Sequence, residues 1–188
     1  MPSVMVSEIL DTHSVLIYDN EETKMKLQSQ FIKTVLAKNE TVIYYTHGKP
    51  NIIEKQLNDL GIDSNYYISK DLLHIIKIPD FLKEPEGPKN SIDETMSQIL
   101  KLKPPYHIIG RFFPDLTIKD SLNAEVSAEQ MLQTNSANFD GSFLCSYSLD
   151  ELSKISQEGK KEILSNHHNI IFGEKLTDAI CVDSDLIF

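Results

Sequence analysis

The chain has 188 residues, 40% of them hydrophobic and 24% charged, a globular composition with enough length for one sizeable core. A formal net charge of −10 opposes general binding of nucleic acid or of anionic membranes, because both need a positive field at the contact. No apolar run nears the roughly 18–20 residues that span a bilayer, and the N-terminal MPSVMV has neither a basic region nor a small-residue cleavage site, so a cytoplasmic protein is expected.

Residues 14–18, SVLIY, are an apolar run with the bulk of a buried strand. A polar junction follows, Asp19-Asn20-Glu21-Glu22, with three acids and no glycine. Over 23–37 the apolar residues Met25, Leu27, Phe31, Ile32, Val35 and Leu36 recur at helical spacing. Residues 41–46, TVIYYT, are β-branched and aromatic and predict a second strand. Pro50 suits the first position of a helix that runs through Leu57 and Leu60 and stops at Gly61. A third strand is predicted over 72–78, and the proline-rich 79–90 reads as a loop. A helix over 92–102 ends at Pro104-Pro105, and a fourth strand spans 106–113. Then come a helix over 122–132, a strand over 141–147, a helix over 149–164 with Gly159 as a potential break, and two short strands at 169–172 and 179–182.

This alternation predicts a mostly parallel sheet with helices on both faces, the three-layer α/β architecture. No repeat or linker divides the chain. One domain over 1–188 is expected, with a core of about 13–173 and a C-terminal segment, 174–188.

The order SVLIYD, then MKLQSQFIKTVLAKNETVIYYT, then IIEKQLNDLGID resembles the opening of RecA-type ATPases of the KaiC family. The catalytic chemistry does not follow the pattern. A phosphate loop needs glycines whose backbone N–H groups converge on the phosphates, and here Asp19, Glu21 and Glu22 stand in that place beside Lys24. His47-Gly48-Lys49 follow the second strand where an acid is expected, and Arg111 stands near the position of a magnesium-supporting Asp. No ATP hydrolysis is therefore expected.

A second set of marks is His13 before the first strand, LIYD at 16–19, NETVIYYT at 39–46, LCSY at 144–147 and ILSNHHNII at 163–171. In order and spacing these resemble the MEDS domain, a sensory domain named from methanogen and methylotroph regulators and related to the KaiC fold. Asn39 stands where that family favours Gly, and Ser148 where an Asp is common. The glutamate usual in the helix before the LCSY strand falls to Glu125 or Glu129. The resemblance implies a sensor of small organic molecules, with output through a partner protein.

Ligands of open α/β sheets bind outside the carboxyl ends of the strands. That rule selects Tyr18, Asp19, His47, Arg111 and Tyr147, with an Asp19–Arg111 charge pair expected to line the crevice. His13, Cys145 and His167 join these as candidate ligand-binding residues from the family marks. Tyr44, Tyr45, Tyr66 and Tyr67 offer flat aromatic surfaces. Cys145 and Cys181 lie far apart in apolar stretches, as buried reduced thiols do. There is no zinc-type Cys/His spacing, and adjacent His167 and His168 point apart on a helix, so neither metal nor cofactor is expected. Three readings follow. The first is a non-catalytic sensor. The second is a degenerate ATPase relative that serves as an interaction subunit, in a homo-oligomer or with a protein partner. The third is residual activity on phosphate through Lys24, Lys49 and Arg111.

Overall fold

The computed structural model describes residues 12–135, 139–173 and 180–183. Among these, seven strands form one sheet in the order β3-β2-β4-β5-β1-β6-β7. They are β1 (His13–Tyr18), β2 (Thr41–Thr46), β3 (Leu73–Lys77), β4 (Tyr106–Ile109), β5 (Gly141–Ser148), β6 (Asn169–Phe172) and β7 (Ile180–Asp183). Every pairing is parallel except β6 with β7, which is antiparallel. So part of the C-terminal segment does complete the sheet.

Side chains alternate between the two faces of a strand, and the core divides accordingly. Leu16, Val42, Tyr44, Ile109 and Leu144 pack on one face, against α1 (Glu21–Ala37) and α2 (Pro50–Asp59). On α1, Leu27, Phe31, Ile32 and Val35 are fully buried, each contributing about 1.5–3 kcal/mol. The opposite face carries Ile43, Tyr45, Ile108 and Phe143 under α4 (Gly87–Ile99) and α5 (Lys119–Asn135). It continues through Val15, Ile17, Cys145 and Tyr147 toward α6 (Leu149–Lys154) and α7 (Gln157–Leu164). The result is the expected helix–sheet–helix sandwich.

The acidic junction is the start of α1. Asn20 Oδ1 accepts from the Thr23 backbone N–H at 2.9 Å, and Glu21 and Glu22 sit in the first turn. Carboxylates there complement the positive end of the helix, so the acids stabilise α1 in the place where a phosphate would sit in an ATPase.

Several boundaries differ from expectation. The loop at 79–90 is shorter, because α4 begins at Gly87 with Pro88 in its first turn. The strand expected over 106–113 stops at Ile109: Gly110 has φ +132°, and a Cβ there would lie 2.9 Å from Tyr45. The helix expected over 149–164 is two helices. The break falls at Ile155-Ser156 rather than Gly159, since Ser156 Oγ caps α7 by accepting from the Gly159 N–H at 3.0 Å. A short helix, α3 (Ser64–Ser69), was not expected; Asp63 caps it. Tyr66 and Tyr67 pack edge to face with each other on α3, which leads into the amino end of β3, and neither lines the carboxyl-end crevice.

Candidate functional site

Two polar regions flank Tyr147. The first is a crevice of about 260 Å³ at the carboxyl ends of β1, β2 and β4, lined by Tyr18, Lys24, Tyr44, Tyr45, His47 and Arg111 among others. Its floor is fixed by a short chain. Tyr44 Oη donates to Gln28 Oε1 at 2.8 Å, and Gln28 Nε2 donates to Ser146 Oγ at 2.9 Å. Gly110 lets the backbone after β4 approach Tyr45 closely, which brings Arg111 to the rim.

The two cations of this crevice already have anions. Lys24 pairs with Glu21 and lies 5.2 Å over the Tyr18 ring. Arg111 grips Glu151 with both nitrogens, at 2.6 and 2.9 Å, and Nη2 donates to the Pro114 carbonyl. The expected Asp19–Arg111 pair is thus replaced by Arg111–Glu151. Asp19 turns outward, exposed, and accepts from Asn20 Nδ2. Glu151 comes from the first turn of α6, which Ser148 caps; that turn brings its carboxylate under the guanidinium.

His47 is half-buried on the crevice wall. Its Nε2 is buried with no hydrogen-bond partner among the described residues. Burial, then the Arg111 charge, push its pKa below the usual imidazole value, which keeps the ring neutral at neutral pH.

The second region is sealed inside the molecule between α5 and the sheet. Residues spaced by four lie on one helix face, and Ser121, Glu125 and Glu129 are all buried on α5. Tyr147 Oη approaches both carboxyls: Glu125 Oε1 at 2.7 Å, and Glu129 Oε1 in a shorter contact. A hydroxyl has one proton to give, so one of the two carboxyls must itself be protonated. Burial, then the neighbouring Glu129, push Glu125 up to about 8. Burial acts on Glu129 in the same sense, but His167 and His13 outweigh it and hold that carboxyl well below its usual range. Glu125 is therefore the neutral acid and Glu129 the anion. Glu125 Oε2 also accepts from the Phe113 N–H at 2.9 Å.

Beyond Glu129 lie His13, Cys145 and His167, all buried. His13 Nε2 is 2.9 Å from Glu129 Oε2, and His167 Nε2 is 3.4 Å from the same oxygen. The Cys145 sulfur is 3.5 Å from both His13 Nε2 and Glu129 Oε2. Burial, then His167, push His13 down; burial, then Glu129, push the Cys145 thiol well up. The two regions meet where the Arg111 guanidinium sits 5.3 Å over the Tyr147 ring.

The eight candidates therefore separate. Tyr18, His47 and Arg111 line the crevice. His13, Cys145, Tyr147 and His167 form the buried group, and Asp19 joins neither. Sequence reasoning named Glu125 and Glu129 only as alternatives for one family position; the structure uses both. Their signal was present, since two acids four apart fall in line with Ala128 and Leu132 on the buried stripe.

The family model described as the methanogen/methylotroph, DcmR sensory domain (MEDS) matches residues 12–168. Among solved structures, the fold is similar to a crystal structure of a KaiC-like protein from the hyperthermophilic archaeon Pyrococcus horikoshii OT3. That match has a TM-score of 0.63 and 13% identity over 92% of this chain and 77% of the other. No curated protein matches the chain.

Proposed function

Because the chain belongs to the MEDS family of sensory domains, we propose that it is a non-catalytic sensor that holds a small organic molecule in the carboxyl-end crevice and signals through a partner protein. The observation that carries this reading is His47: a neutral, half-buried ring on the crevice wall with a nitrogen that no described residue satisfies. An unpaired buried polar atom costs about 1–3 kcal/mol. A ligand with one hydrogen-bonding group removes that cost, and Tyr18 and Tyr44 on the crevice wall suit its apolar part. The pairing of Lys24 with Glu21 and of Arg111 with Glu151 argues against a phosphate-bearing ligand and against phosphoryl chemistry. Signalling then requires that the ligand bind two conformations unequally.

Thermal unfolding of the full chain tests this. A panel of short alcohols, amines and related compounds should contain at least one that raises the midpoint by mass action, and His47→Ala should abolish that shift. A rise with ATP–magnesium, or a compound shift unchanged in His47→Ala, would sink the reading. A second reading, the interaction subunit, is favoured by an apolar groove of about 690 Å³ between α4 and α5, lined by Leu82, Ile92, Ala124 and Met131 among others. No shift with any compound would move the weight there.

A further inference from the structure

We infer that His13, Glu129, Cys145 and His167 form a binding site for a single divalent transition metal of the zinc class, closed by four protein ligands. The inference does not rest on the sensory reading. One donor atom from each residue lies within 4.8 Å of every other. The recorded separations are 2.9, 3.4, 3.5 and 3.5 Å. Zinc with nitrogen or oxygen at about 2.0–2.1 Å and sulfur at about 2.3 Å spans a tetrahedron with edges of roughly 3.3–3.6 Å. Three of these four separations match those edges, the His13–Glu129 contact is shorter, and the remaining two pairs stay within 4.8 Å.

The orientation of the rings is the second argument. His167 Nδ1 lies 2.9 Å from the Ile163 carbonyl. A carbonyl oxygen only accepts, so the hydrogen of that ring is on Nδ1. His13 Nδ1 faces Gln133 Oε1 at 3.3 Å in the same manner. Both Nε2 atoms therefore face Glu129 Oε2, at 2.9 and 3.4 Å. A carboxylate oxygen only accepts, so a proton or a metal ion belongs between it and the two ring nitrogens. A proton can bridge one edge of this group; a metal ion satisfies every donor together. This is also the usual support of metal-binding histidines, whose other nitrogen donates to a carbonyl or amide oxygen. Tyr147 supplies the matching support on Glu129 Oε1.

Charge and chemical type agree. A thiolate and a carboxylate neutralise a dication, and two neutral imidazoles complete the set. Sulfur with imidazole selects borderline-soft ions over magnesium or calcium. Binding displaces the Cys145 thiol proton to solvent as the sulfur–metal bond forms. The spacing of the residues along the chain hides the site, because the four donors come from β1, α5, β5 and the turn before β6. Entry is short on one side: Gln133, which faces His13, also lies 3.4 Å from the exposed His168.

The test uses full-length protein, reduced, stripped with a chelator and checked for folding by circular dichroism. Titration with cobalt(II) should reach one ion per chain. It should give the visible bands of a tetrahedral ion and a near-ultraviolet thiolate-to-cobalt band, both removed by added zinc. Cys145→Ser should lose the thiolate band and Cys181→Ser should keep it. His167→Gln should weaken zinc affinity by more than the roughly 10–100-fold typical of a lost supporting contact, and Tyr147→Phe by about that range. A folded wild-type protein without tetrahedral bands overturns the proposal, whatever the variants do. So does a thiolate band that survives Cys145→Ser. These readouts are independent of any shift with organic compounds, so the sensory reading and the metal site fail separately.

Discussion

Glu125 and Glu129 are the same residue type on the same helix face, yet they hold opposite protonation states. Glu125 faces Tyr147, the Phe113 amide, the neighbouring Glu129 and, further off, the Arg111 charge. A neutral acid there is nearly matched by an amide, so Glu125→Gln should change stability by less than ~1 kcal/mol at low pH. Glu129→Gln removes the anion that His13 and His167 face and should cost about 2–4 kcal/mol. Urea unfolding of the chelated protein measures both. Glu125 also sets a pH dependence. Its folded value is raised from 4.5 to about 8, so below 4.5 both folded and unfolded chains hold the proton. Between 4.5 and about 8 only the folded chain keeps it, and each pH unit then costs up to about 1.4 kcal/mol. The stabilisation is lost as pH rises through the folded value. The wild-type minus Glu125→Gln difference in stability should therefore fall across that window; a flat difference would contradict the assignment.

At the scale of the element, α1 shows how a borrowed framework is refitted. Asn20 and two first-turn carboxylates hold its N-terminus. Asn20→Ala should cost about 1 kcal/mol by urea unfolding while leaving any organic-ligand shift in place, because the cap lies outside the crevice. Elements of this kind were legible: the alternation of apolar runs and helical stripes gave the strands, most helices and the Pro50 start. Short pieces were not. The six-residue α3 is too brief to show a period, and the break at Ser156 depends on a serine cap that competes with an uninterrupted apolar pattern. That both acids of α5 are buried was harder to read for a related reason. Periodicity assigns charged residues to the wet face, and only the partners His13, Tyr147 and Cys145, distant in sequence, make burial tolerable.

For the whole molecule, the strand-end rule found the crevice but not the interior group, since nothing local says that position 13 meets positions 129, 145 and 167. That distance along the chain has a consequence in time. β1 lies nearest the N-terminus yet is paired on both sides by late strands, β5 and β6. Cys145 and His13 are 132 positions apart when they touch. Closing so long a loop costs entropy before it is rewarded, so the polar group should assemble after the local α1–β2–α2–β3 part has formed. A contact made that late is absent from the folding transition state. Tyr147→Phe, worth about 1–2 kcal/mol, should then leave the refolding rate nearly unchanged and speed unfolding on the order of tenfold, as stopped-flow mixing in urea would read. On a growing chain, β1 must wait for β5 and β6 to be made before it has a neighbour. The histidine it carries is made well before Glu129, Cys145 and His167, the residues it must meet, and is among the last to find its place.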